Sequence, residues 1–192
     1  MSERLSSPTY LVRRKVFTLA GGAFHFYDGE GRLVLYSKLK AFKLKEDIRI
    51  WTGEDCQTEV LLIKARQIID FSSAYDIFDP ATGARLGACK RRGWKSLMRD
   101  EWTIMDSQDR DVAKIEEDSL ILALVRRLLT NLVPQRYTVT MDGTTVAEFR
   151  QNFNPFVLKL NLDFTPDRER RLDRRLGLAA AVLLCAIEGR QN

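Results

Sequence analysis

The stretch Leu176-Gly-Leu-Ala-Ala-Ala-Val-Leu-Leu-Cys-Ala-Ile187 contains no charged residue in twelve positions. A bilayer crossing needs about 20 apolar residues, and Arg174 and Arg175 stand immediately before this run, so it reads as a buried helix. It is apolar on every side, and such a helix must be surrounded rather than laid on a surface. Gly177, Ala179, Ala180, Ala181 and Ala186 keep it narrow enough to be enclosed. Just upstream, Thr165 suits an N-cap, Pro166 the first helical position, and Asp167 and Glu169 the first turn, so the helix is expected to begin at Thr165. Asp167, Glu169 and Asp173 alternate with arginines, a spacing that predicts ion pairs three and four residues apart.

The rest of the chain supplies the enclosure. Short alternating segments fold back on one another around turns that open at Asp28, Thr52, Asp79, Asp106 and Asp142, at intervals of 24, 27, 27 and 36 residues. Phe24–Tyr27 returns as Leu33–Tyr36, Ile48–Trp51 as Val60–Ile63, Tyr75–Phe78 through Leu86 and Cys89, and Trp102–Met105 through Val112 and Ile115. Tyr137–Thr140 returns through Val146 to Phe149 around Asp142-Gly143, the strongest two-residue hairpin signal. Tyr10–Phe17 opens the series and Phe156–Leu162 closes it, which makes twelve strands. A sheet closed on itself can hold a helix and has no exposed edge. The expected fold class is therefore mainly β: a closed twelve-stranded antiparallel barrel around a central C-terminal helix. Ser119 can cap a further helix near 119–132, ended by Pro134. At 192 residues this is one domain, spanning 10–189, with a flexible 1–9 segment and a 190–192 tail.

Tyr10-Leu-Val-Arg-Arg-Lys-Val-Phe17, the Phe26-Tyr27-Asp28-x-x-Gly31 turn, the Tyr75-Asp-Ile-Phe-Asp79 return and the apolar terminal helix together resemble the LURP-one-related proteins. These belong with the phospholipid scramblases and the tubby C-terminal domain, and the likeness runs from about Tyr10 to Glu188. The resemblance implies a barrel around a central helix. It also implies a non-catalytic role, with phosphoinositide binding or lipid scrambling as the activities attributed to relatives. No binding motif of tubby maps onto particular residues here.

Charge is concentrated. Arg85–Arg99 carries Arg85, Lys90, Arg91, Arg92, Lys95 and Arg99 and no acid. Without those six the chain has 25 basic against 26 acidic residues, so the net +5 is one local feature. Trp94 gives it an aromatic tip. Each Lys or Arg near an anionic leaflet contributes about 1 kcal/mol, and Trp favours the interface. Lys38, Lys40, Lys43 and Lys45 form a second set, whose plainer reading is a solvated strand face. Anionic lipid headgroups are the ligand these residues suggest. Nucleic acid would use the same charges, but no helix-turn-helix, RNP-like or zinc-finger pattern accompanies the pI of about 9.2, so it is disfavoured.

The alternative is a scaffold or regulatory module working through Leu120, Leu124 and Leu128 on the helix 120–132, as a dimer or with a protein partner; the same helix could instead cover the barrel or lie on a membrane. Scramblase-like lipid handling is a third reading, on resemblance alone.

Catalysis and cofactors are not expected. One histidine, His25, and three scattered cysteines leave no metal set, no disulfide framework and no nucleophile–base pair. Asp106-Ser-Gln-Asp-Arg-Asp111 lacks the liganding positions and glycine of a calcium loop and reads as an Asp-rich turn. The polar Met1–Pro8 segment lacks a signal-peptide core, so the expectation is a cytoplasmic protein, peripheral at the inner membrane surface.

Overall fold

The computed structural model describes residues 3–15, 21–40, 47–66, 73–91, 101–117, 135–152 and 157–187. Twelve strands run β1 (Thr9–Lys15), β2 (Gly21–Asp28), β3 (Leu33–Lys40), β4 (Ile48–Trp51), β5 (Glu59–Ala65) and β6 (Ala74–Phe78). They continue as β7 (Arg85–Arg91), β8 (Glu101–Asp106), β9 (Asp111–Glu117), β10 (Arg136–Met141), β11 (Thr144–Asn152) and β12 (Val157–Asp163). Each pairs antiparallel with its neighbours in sequence, and β1 pairs with β12, Tyr10 opposite Leu162, to close the barrel.

Alternation decides what fills it. Along each strand every second residue points inward: Val12, Phe24, Phe26, Ile50, Leu61, Ile77, Ile104, Ile115, Val139 and Phe149 have no exposed surface. Twelve strands leave a lumen wider than side chains alone can fill, and a helix about 10 Å across occupies it. That helix is Arg174–Ile187; all but Arg175 of its fourteen residues are buried. Leu178 and Leu183 have no exposed surface, and Ile187 has 8%. At about 1.5 Å per residue it is roughly 21 Å long, close to the roughly 23 Å of a seven-residue strand.

The helix begins eight residues later than its sequence suggests, capped at Asp173 rather than Thr165. Thr165 and Pro166 lie in turns, where the Thr165 amide and hydroxyl both bond Asp163. Arg170 then takes a left-handed φ of 54°, which no continuous helix tolerates. Asp173 is the actual cap: its Oδ1 accepts the Arg175 amide, and its carbonyl accepts Leu176 and Gly177. The ion pairs formed here have other spacings than the three and four residues expected. Asp167 meets Arg174 seven residues away, while Arg175 bridges Asp173 and Asp79, and Arg171 reaches Asp142.

At the helix's far end Arg14, turned inward from β1, donates to the Cys185 carbonyl at 3.3 Å and lies 5.5 Å over the Phe24 ring. A cation there complements the negative end of the helix dipole. Burial pushes the Cys89 and Cys185 thiols up to about 12, whereas Cys56 sits in the half-exposed β4–β5 turn. Because the thiolate is the nucleophile, a disulfide reagent should modify one cysteine, Cys56, in the native protein and all three after unfolding. Fast native modification of two or three would mean that the lumen opens readily.

Candidate functional site

An even-numbered meander sorts its connections by end. The turns β2–β3, β4–β5, β6–β7, β8–β9 and β10–β11, and the link from β12 into the helix, all lie at one end. The connections 16–20, 41–46, 67–72, 92–100, 118–134 and 153–156 all leave from the other.

The first end is acidic, and its carboxylates are spent on turn geometry. Asp28 Oδ1 accepts the Glu30 and Arg32 amides at 3.0 and 2.9 Å, and Oδ2 accepts Arg32 Nε at 2.8 Å. Burial alone would raise the Asp28 carboxyl; these donated bonds outweigh it and hold the group below the ordinary carboxylate range. Asp106 repeats the pattern with Gln108 and Arg110, as an Asp-rich turn requires, and the Arg110 amide chiefly draws its carboxyl down. Asp142 and Gly143, with φ of 47° and 76°, make the two-residue hairpin. No cluster of three metal-ligating side chains occurs among the described residues.

Arg85 belongs to this structural machinery. Its Nε bonds Asp76 at 2.7 Å, its Nη2 bonds Asp109 at 2.5 Å, and its Nη1 donates to the Ser107 carbonyl at 2.8 Å. Arg66 holds the same two carboxylates, with Asp76 gripped through two bonds of 2.7 Å. Two arginines and two aspartates thus form a neutral clamp on the outer wall. Burial works against the charged form of Asp76, yet the two guanidinium groups keep its carboxyl low. Six steps along the strand, about 20 Å, separate Arg85 from Arg91.

The opposite end gathers the other basic sets. Lys90 and Arg91 close β7, with Lys90 exposed; Lys38 is exposed near the end of β3, and Lys40 is its last residue. Lys43, Arg92, Trp94, Lys95 and Arg99, together with Leu120, Leu124 and Leu128 of the expected 119–132 helix, lie outside the described residues. Their connections nonetheless start and finish on strand ends of this one rim. The connections at this rim carry five of the ten phenylalanines (Phe17, Phe42, Phe71, Phe153 and Phe156). In sequence these connections hold seven cations (Lys43, Lys45, Arg92, Lys95, Arg99, Arg126 and Arg127) and four acids (Glu46, Asp70, Asp100 and Asp118).

His25 stands on the outer wall, between the inward-facing Phe24 and Phe26. Its Nε2 lies 2.7 Å from Glu54 Oε1, and its ring stacks on Tyr27 with centroids 6.4 Å apart. Sequence reading missed the cations Arg13, Lys159, Arg150 and Arg136. Each looks like an ordinary outward strand residue until the register sets them side by side. No described helix is long and apolar enough to cross a membrane.

A solved structure of an Arabidopsis thaliana protein superposes with a TM-score of 0.53 over 95% of this chain and 93% of that one, at 14% identity, which speaks for the fold alone. No curated protein matches the chain. The LURP-one-related family matches residues 33–185, from β3 through most of the central helix. That span covers most of the barrel and the helix inside it, and the chain belongs to the LURP-one-related family.

Proposed function

We propose that the protein is a non-catalytic barrel that docks reversibly on anionic phospholipid surfaces through the rim opposite its acidic turns. One observation carries the reading: the meander sets the end of β3, with Lys38 and Lys40, and the end of β7, with Lys90 and Arg91, on the same rim, from which the other basic segments continue in sequence. Basic residues beside aromatic ones suit an anionic interface, where cations meet headgroups and rings enter the acyl boundary. A flat membrane can touch one end of a barrel over several connections at once. The other end could not serve, since its carboxylates would repel the same surface. The docking set is Lys38, Lys40, Lys43, Lys90, Arg91, Arg92, Trp94, Lys95 and Arg99; Arg85, locked in its clamp, makes no contribution. A binding role is the reading the family membership supports.

Co-sedimentation with phosphatidylcholine vesicles, with and without phosphatidylserine, tests this. Binding should require the anionic lipid. Changing Lys90, Arg92 and Lys95 to Ala should remove about 3 kcal/mol, roughly a hundred-fold in partitioning. Binding indifferent to phosphatidylserine, or to these three substitutions, defeats the proposal.

A further inference from the structure

The seams of the barrel are not equally closed. Among the described residues β3 and β4 meet at two residue pairs, Tyr36 with Trp51 and Ser37 with Ile50. Each of the other eleven seams has four to seven. The cause is length: β3 has eight residues and pairs with β2 through seven of them, whereas β4 has four residues in all. One ladder bond adds little to stability, so a seam with few of them can part while the rest of the sheet holds.

The strands on either side are firmer. The far edge of the β4–β5 hairpin pairs with β6 at four positions, and the Arg66 amide extends that ladder to the Ala74 carbonyl at 2.8 Å. The Arg66 guanidinium then grips Asp76 through two bonds of 2.7 Å. Across the weak seam, side chains take over from backbone. Ser37 Oγ donates to the Arg49 carbonyl at 2.8 Å, and the Tyr36 and Trp51 rings lie with centroids 6.4 Å apart. At the acidic end His25 Nε2 lies 2.7 Å from Glu54 Oε1, and Arg4 donates to the Thr52 carbonyl at 2.7 Å, so the tip of the hairpin is held from beyond β3. Towards the basic rim the two strands turn away from each other: Lys38 is exposed, and Arg49 bonds Glu59 on its own hairpin at 2.7 Å. Among the described residues, no side-chain bond across the seam lies nearer the basic rim than that of Ser37 with Arg49. Behind it Leu35, Ile48, Ile50 and Leu61 line the lumen with at most 1% exposure.

We propose that the β3–β4 seam is a lateral gate. The β4–β5 hairpin swings as a unit on its clamped β5–β6 edge, parts from β3 starting at the basic rim, and bares an apolar strip of the lumen lining. The side-chain latches at the acidic end keep the closed form dominant and stop the opening short of unfolding. A barrel filled by its own helix thereby presents apolar surface without expelling that helix. The seam parts in the protein alone, so the gate stands or falls apart from the docking of lipid at the rim.

Native-state hydrogen exchange, read amide by amide, tests the gate. Alternate amides of β4 point to β3 and to β5. Those bonded to β3 should exchange about 100-fold or more faster than the amides of β8, as local openings allow, while those bonded to β5 stay slow because the hairpin moves whole. Tyr36→Cys with Trp51→Cys, in a Cys56→Ser background, places a disulfide across directly opposite positions, whose Cα spacing of about 4.5–5.5 Å suits one. Oxidised, that variant should slow the first set of β4 amides to the rate of the second. His25→Gln, a change on the outer wall, reads the gate in the other direction if the cysteine variant does not fold. It removes one latch and should speed the first set about two- to five-fold, leaving β8 and β10 unchanged. The proposal fails if all strands exchange at a single rate, or if another seam opens faster than β3–β4. It fails equally if the two sets of β4 amides exchange together, which would mean that the hairpin frays, or if the oxidised variant exchanges like the native protein. An equal effect of His25→Gln on β8 and β10 would also overturn it, by making the latch a support of the whole fold.

Discussion

Replacing Asp167 with alanine is expected to lower the stability of the barrel by about 3–5 kcal/mol, the range for removing one partner of a buried ion pair. The Asp167 side chain is 1% exposed and that of Arg174 is 7% exposed. The carboxylate accepts the Arg171 amide at 2.8 Å, the Leu172 amide at 3.1 Å and Arg174 Nη1 at 3.3 Å. Its removal orphans two backbone donors and strands a guanidinium inside the mouth of the barrel. Burial already pulls the Arg174 pKa down, but a guanidinium stays charged, so it cannot escape by losing its proton. Among the described residues it would keep the Phe164 ring, 4.4 Å away, and the Phe164 carbonyl at 3.4 Å. Asp167→Asn keeps one oxygen, an acceptor for one of the two amides, so it should be the milder change. Asp167→Asn combined with Arg174→Met should recover much of the loss, since an uncharged pair leaves no uncompensated charge. Equilibrium denaturation of the four proteins decides. A loss below about 1 kcal/mol for Asp167→Ala would show that the pair is hydrated and that the mouth of the barrel is open.

Features carried by period and turn chemistry were legible in the chain. Alternation marked the twelve strands, Asp142-Gly143 marked its hairpin, and an all-round apolar helix with no membrane-length span demanded enclosure. The helix start was not legible, because Thr165-Pro166 is good capping chemistry and only tertiary structure shows Asp163 and Asp167 claiming the neighbouring donors. The site was legible by halves. Lys90 and Arg91 were visible as part of a charge run, but proximity in sequence wrongly suggested that Arg85 shares their surroundings. A strand puts its two ends a barrel's height apart, and Asp76 and Asp109 reach Arg85 from 9 and 24 residues away. The like-charge pairs on the wall were hidden for the converse reason. Arg13 and Lys159 are 146 positions apart, and only closure of β1 on β12 makes them neighbours.

Phe164→Ala should be comparably damaging, about 3–5 kcal/mol, and its effect should depend on residue 177. Phe164 is 1% exposed and closes the acidic end of the lumen. It meets Tyr10 edge-on with centroids 6.2 Å apart, Phe149 at 5.7 Å, and the Arg174 guanidinium from above. Gly177 is the reason the ring can approach the helix so closely. A Cβ on residue 177 would lie 2.7 and 2.9 Å from two Phe164 ring carbons, nearer than atoms can sit without one moving. Gly177→Ala alone should therefore destabilise by about 1–3 kcal/mol, although alanine is the better helix former by about 1 kcal/mol. Shortening the ring to leucine removes the obstruction. With Phe164→Leu in place, Gly177→Ala should become neutral or favourable, giving a coupling of about 1–3 kcal/mol between the two positions. Additive losses would place the clash elsewhere. They would mean that the glycine serves something other than the aromatic plug, and that the narrow waist of the helix is not what admits it to the barrel.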